Sequence, residues 1–266
     1  MSAVDRQLLA DIGRSLALSR VWLFLGRQDL RARFRRTFIG PLWILINLGL
    51  FVAGGGLVYG ALLGQPLAEF LPHLTAGLVI WGFLSATVTE ACHTFVVAEG
   101  YIKQFVFPKQ VYLFRTLVSS TVVLLIGLSA LFVLLLVLGV LAPLGWLCAL
   151  PGLALLLAAG LAHVSLFAYL GARFRDLPHA LGGVLQVLFF VTPIIYPAEL
   201  LRARGVDFVY RLNPLYYLIE GVRHPVLDGT FAGLDVYAAG ALYVVVVFLL
   251  AYLTARRLDR TLVYLL

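Results

Sequence analysis

The 266-residue sequence is 62% hydrophobic and 12% charged, with a mean hydropathy of +1.00. A soluble domain of this size carries about a quarter charged residues, so water is excluded as the main solvent and the chain is built for lipid. Its net charge of +7 lies beside apolar runs, which indicates a cytoplasmic membrane face rather than nucleic acid. Its two cysteines, Cys92 and Cys148, both sit in apolar runs, which rules out a disulfide framework or a zinc site and leaves them as small packing residues.

In chain order, "LALSRVWLFLG" (16–26) is interrupted by Arg20 and followed by arginines, so it does not read as a cleavable signal. "RQDLRARFRRTFIG" reads as an amphipathic helix, with Leu30, Phe34 and Phe38 on one face and Arg27, Arg31 and Arg35 beside them. Such a helix lies in the membrane interface, so residues 1–40 form a cytoplasmic amphipathic segment. Residues 41–266 form a transmembrane domain. A span requires about 20 apolar residues, and the pattern predicts six: Leu42–Leu63, Leu71–Ala98, Val111–Leu141, Leu144–Gly171, Leu181–Pro197 and Phe231–Thr254. The fifth ends in "TPIIYP", where Pro193 and Pro197 break the helix. The fold class is therefore an all-α integral membrane protein.

With the N-terminus inside, sixteen of the 20 Lys and Arg residues fall on inner segments and four (Arg202, Arg204, Arg211 and Arg223) in one outer loop. Both termini then face the cytoplasm. That outer loop is too apolar for a solvated connection. "AELLRARG" and "NPLYYLIEGVRHPVLDG" each predict a short helix within 198–228, the second capped by Asn213 with Pro214 at its first position. Together they suggest a re-entrant pair, since irregular backbone at membrane depth must be surrounded by protein or line an aqueous cavity.

Between the second and third spans lies "EGYIKQFVFPKQ" (99–110), which holds the only two lysines, Lys103 and Lys109. Tyr101, Phe105 and Val106 can enter a partner's groove with the lysines on the rim, a helix-in-groove pattern. A solvated turn that obeys the positive-inside rule is the alternative. Neither lysine follows a glycine-rich cradle, so the chain is not its own P-loop ATPase. Glu90 and His93 share a face of the second span; they form either a polar relay or an inner-end pair at the headgroups. His163 is read as a hydrogen-bonded packing residue. Tyr59, Trp81, Phe83, Tyr196, Tyr216 and Tyr217 are either an interfacial belt or a surface on which sugar rings slide. No carboxylate pair or nucleophile triad stands out, so no catalytic residue and no metal ligand is assigned.

"RQDLRARFRRTFIGPLW", "YIKQFVFPKQVYLFRTL", "GARFRDLPHAL", "TPIIYP" and "LNPLYYLIEGVRH" occur in that order. Together they resemble the membrane subunit of ABC-type polysaccharide exporters, the permeases for O-antigen, capsule and teichoic acid. One departure is visible: the family commonly has Asn-Pro in the first span, whereas Leu48 follows Asn47 here. The resemblance implies a homodimer in the bacterial inner membrane, each copy bound to a separate P-loop ATPase that holds the ATP and Mg; this chain would bind no cofactor. It implies a lipid-linked polysaccharide as substrate. It also implies that 99–110, including Glu99, Tyr101, Lys103, Phe105, Val106, Pro108 and Lys109, is the ATPase-coupling element, and that 198–228 supplies outer gate helices. Arg27, Arg31, Arg33, Arg35 and Arg36 would meet the lipid diphosphate or the membrane interface. An exporter permease for small drugs or lipids, and a proton-coupled carrier using Glu90 and His93, are the competing readings.

Overall fold

A computed structural model describes residues 3–104 and 107–266. The described residues form helices and turns only. Two helices open the chain, α1 (Ala3–Ala17) and α2 (Ser19–Arg33), followed by the apolar α3 (Leu42–Leu63) and α4 (Leu67–Thr89). A short turn, α5 (Thr94–Val97) and α6 (Glu99–Gln104) lead to α7 (Gln110–Val137). Helix α8 (Pro143–Cys148) runs almost directly into α9 (Leu150–Arg173), and α10 (Leu177–Val191) follows. Then come α11 (Ala198–Ala203), α12 (Phe208–Arg211), α13 (Pro214–Asp228), α14 (Leu234–Leu258) and α15 (Leu262–Leu265).

Five of these helical runs are long and apolar enough to cross a membrane: 42–63, 67–104, 110–137, 143–173 and 234–265. The first matches the predicted span residue for residue. The predicted fifth span differs. Helix α10 has 15 residues, about 22 Å of rise, less than the roughly 30 Å hydrocarbon core. The cause is local: the helix stops at Thr192, because Pro193 has no N–H to continue it. Helix α3 runs unbroken through Asn47, so leucine at position 48 leaves the helix uninterrupted where Asn-Pro would kink it.

The amphipathic N-terminal helix also starts and ends earlier than predicted. Helix α2 begins at Ser19 and ends at Arg33, with Phe34 capping it. The backbone then turns, Arg36 taking a φ of 71°, and Phe38 is fully exposed. Leu30, Phe34 and Phe38 therefore do not share one helical stripe. Like charges four apart, Arg27–Arg31 and Arg31–Arg35, disfavour a longer helix. The helix that does form buries itself against α7: a Cβ on Gly26 would lie 2.8 Å from Val118 Cγ1, and Trp22 stacks near Phe114 at 5.4 Å.

The centre of the bundle is filled. Ile80, Trp81, Phe83, Leu84, Leu131 and Leu156 belong to one buried cluster that joins α4, α7, α9 and α13. A second, smaller cluster of Phe95, Ala98, Tyr112, Tyr169 and Leu262 closes the end that carries α6 and the C-terminal turn. This is the inner end in the orientation predicted from the arginines. Helix α9 runs between the two clusters, and its glycines set how closely other backbones approach: a Cβ on Gly152 would lie 1.9 Å from the Gly221 carbonyl oxygen, and one on Gly171 2.3 Å from that of Cys92. By contrast α10 buries no residue, and only 11% of the α3 window is buried.

Candidate functional site

Two constellations of charge sit at opposite ends of the bundle. At the inner end, Arg33 of α2 pairs with Glu90 at 2.8 Å, and Ser120 of α7 donates to the other Glu90 oxygen at 3.4 Å. One turn earlier on α2, Asp29 accepts both Nε and Nη2 of Arg115, each at 2.5 Å. These two pairs pin the last turn of α2 to α4 and α7, and His93 joins them around a cavity of about 240 Å³. Glu90 and His93 therefore lie beside the charged side chains of α2 and α7 around one cavity.

The predicted docking element stands next to this cavity. Helix α6 buries no residue, and Tyr101 is 41% exposed. Glu99 pairs with Lys103 one turn on at 2.6 Å, which stiffens the helix without tying it to its neighbours. Pro108 is half-buried, while Phe105 and Val106 lie outside the described residues. Lys109 departs from its predicted place on the rim. It turns inward to the Asp259 carboxylate at 2.9 Å, because that acid is buried and needs a cationic partner. Arg27, Arg31, Arg35 and Arg36 are exposed, as a basic interfacial stretch requires.

At the outer end the sequence reading missed the principal residue. Arg223, counted only as an outer-loop charge, is 2% exposed. It donates to the Pro193 carbonyl at 2.9 Å, contacts His73 Nε2 at 3.0 Å and pairs with Glu220. One guanidinium thus ties α13 to α4 and to the turn that ends α10, the fork geometry for which Arg is suited. Asn213 caps α13 through Leu215 N–H at 3.0 Å, as predicted, and its amide also reaches Thr192 at 2.6 Å. The signal that was available in sequence is the spacing of Glu220 and Arg223, three apart on an apolar helix.

These groups border an outer cavity of about 600 Å³. Its acids Glu69, Glu199 and Asp235 each sit in the first turn of a helix, α4, α11 and α14, where a carboxylate offsets the helix dipole. Tyr216 lines the cavity and stacks between Tyr210 at 4.8 Å and Tyr217 at 5.4 Å. Burial pushes the Tyr216 phenol above its usual range, so it stays a hydrogen-bond donor. Tyr217 donates to the Arg211 carbonyl at 2.9 Å and Tyr196 to that of Phe190 at 2.7 Å. Tyr59 is exposed on α3. Trp81 and Phe83 correct the prediction: at 8% and 2% exposure they are core residues, wedged between α4, α9 and α10 rather than open to a passing chain. His163 is buried, bonded to Thr87 at 3.1 Å and Tyr243 at 2.7 Å, the packing role read from sequence. Cys92 and Cys148 are free and buried.

The profile of ABC-2 type transporters matches residues 20–227, a stretch that contains nearly all of α2, residues 99–110 and nearly all of α13. The chain belongs to the ABC-2 type transporter family. Curated relatives narrow the likeness. The chain is 24% identical over 207 residues to an O-antigen export system permease protein RfbA of Klebsiella pneumoniae, covering 77% of this chain and 80% of that one. It is 26% identical over 197 residues to the protein of the same name from Myxococcus xanthus, covering 73% and 75%. This ABC-2 protein is thus a multi-pass membrane subunit of an ABC exporter, and its ATPase is a separate subunit. The five stretches that suggested the resemblance all lie within residues 20–227, the part matched by the family.

Proposed function

We propose that this ABC-2 subunit exports a lipid-linked polysaccharide, of O-antigen or capsule type, across the bacterial inner membrane through a channel between two copies of itself. Each copy contributes six crossings, the sixth being the short α10 continued by its proline turn, with α11 and α13 dipping into the outer leaflet as gate helices and both termini cytoplasmic. The observation that carries the reading is the uneven packing of the spans. The protomer's centre is filled by Trp81, Phe83, Leu131 and Leu156, which leaves a hydrated polymer no room inside one copy. Helices α3 and α10, joined by Phe51 and Phe189 at 6.5 Å, instead present a shared apolar face that buries little. A two-fold copy is the economical cover for such a face.

In this mechanism the partner P-loop ATPases close on ATP and push α6, Phe105, Val106 and α2. Arg33–Glu90 and Arg115–Asp29 carry the displacement of α2 into α4 and α7. The α3 and α10 faces of the two copies part, and Tyr216 and Tyr217 guide sugar rings at the exit. The exposed Arg27, Arg31, Arg35 and Arg36 hold the phosphates of membrane lipids and of the substrate's carrier at the inner lip.

Reconstitution with the ATPase subunit in proteoliposomes tests the reading. ATP-dependent movement of a lipid-linked glycan is expected, and glycan movement by this chain alone overturns it. Single cysteines at Leu57 of α3 and Val187 of α10, both exposed, are expected to crosslink copy to copy. Absence of any such dimer in membranes removes the interface.

A further inference from the structure

We propose that Tyr169 and Asp259 are positioning residues that bracket α6, fixing both of its roots to the body formed by α9 and α14. The inference rests on the reading of α6 as the place where the ATPase pushes. Helix α6 fully buries no residue, although Ile102 rests against the cluster of Phe95 and Tyr169, so what holds the chain just before and just after it adds to its placement. Before it, Phe95 is fully buried and meets the Tyr169 ring edge-on, centroids 5.0 Å apart. After it, Lys109 reaches the Asp259 carboxylate at 2.9 Å and the Asp259 backbone carbonyl at 2.5 Å. The two roots meet in one side chain: the Tyr169 hydroxyl donates to the second Asp259 oxygen at 2.8 Å.

The consequence is mechanical. Asp259 is buried and has one oxygen on an ammonium and the other on a hydroxyl, bonds strengthened by its charge. Lys109 cannot swing away with α6 without leaving that carboxylate buried and half-satisfied, an expensive state. A displacement of α6 therefore moves α9 and α14 with it. The Glu99–Lys103 pair lacks this property, because both partners lie within α6. Loosening the bracket lets α6 follow the ATPase while the membrane body stays behind, so ATP is hydrolysed without export.

The test compares wild type, Asp259→Asn, Tyr169→Phe and the exchanged pair Lys109→Asp/Asp259→Lys in proteoliposomes with the ATPase subunit. Expected are unchanged ATPase retention on co-purification, continued hydrolysis, and glycan moved per ATP lowered about tenfold in Asp259→Asn, less in Tyr169→Phe. Recovery in the exchanged pair is expected, which a merely structural role would not give. Independently of any substrate, spin labels at Gly100→Cys and Arg257→Cys should give a narrow distance distribution that broadens in Asp259→Asn. That readout needs no glycan and no partner, so it separates failure of the bracket from failure of the export reading. Wild-type coupling in both single variants, or an unbroadened distribution, overturns the proposal.

Discussion

At the inner end, the Arg33–Glu90 pair joins α2 to the end of α4 through side chains that stay partly exposed: Arg33 is 54% exposed and Glu90 32%. At the outer end one arginine, 2% exposed, gathers α4, α10 and α13. The Arg33–Glu90 pair is re-formed readily after a displacement, since solvent can stand in for a lost partner, whereas the buried Lys109–Asp259 pair at the same end has no such substitute. The outer arginine has no such substitute either, so its neighbours move as one body or not at all. In the proposed exporter this puts an adjustable contact, Arg33–Glu90, beside the buried Lys109–Asp259 bracket at the pushed end, and a buried arginine clamp at the other.

The sharpest way to break this contrast is Arg223→Ala. It leaves Glu220 and the Pro193 carbonyl without their partner in a largely buried site, with an expected loss of about 3 kcal/mol, read as a large drop in unfolding temperature in detergent. Next comes Gly152→Ala, whose methyl would meet the Gly221 carbonyl at 1.9 Å; about 1–3 kcal/mol is expected. Gly182→Ala on the loosely held α10, where a Cβ meets nothing within 4 Å, is the control, neutral or stabilising by up to ~1 kcal/mol. The smallest effect is assigned to Glu90→Gln. It should cost less than about 1 kcal/mol while lowering ATP-coupled export, with Arg33→Glu/Glu90→Arg recovering it. An equal loss of stability in Glu90→Gln and Arg223→Ala would erase the distinction between the two ends.

Tyr216→Ala and Tyr217→Ala sharpen the outer side of the comparison. Export is expected to fall more than assembly, because both rings stack in a tyrosine run instead of entering the core. Equal losses of assembly and export would return these rings to the lipid belt.

Much of the fold was legible. The bounds of α3, the Asn213-Pro214 start of α13 and the helix break at "TPIIYP" follow from apolar length and the backbone chemistry of Pro and Asn, which act locally. The candidate site was legible in part. The position of the 99–110 turn and its outward Tyr101 were readable, whereas the inward turn of Lys109 was not, because its partner Asp259 is 150 residues away. Trp81 and Phe83 were placed on a surface since an aromatic in a membrane helix looks the same whether it faces lipid or core. Only the approach of α9 at Gly160, where a Cβ would lie 2.5 Å from Phe83, makes the difference.

The sequence by itself determined that this chain lives in lipid, where most of its long helices fall and that it lacks a P-loop. These properties depend on composition and on neighbours a few residues apart. Tertiary structure decided which charges are buried and whom they hold: Arg223 looks like any of four outer arginines until α4 and α10 close around it, and Asp259 like a tail acid until α9 and α7 meet over it. Burial is a property of what surrounds a residue, and pairing across the bundle depends on how distant helices pack, which no local pattern records.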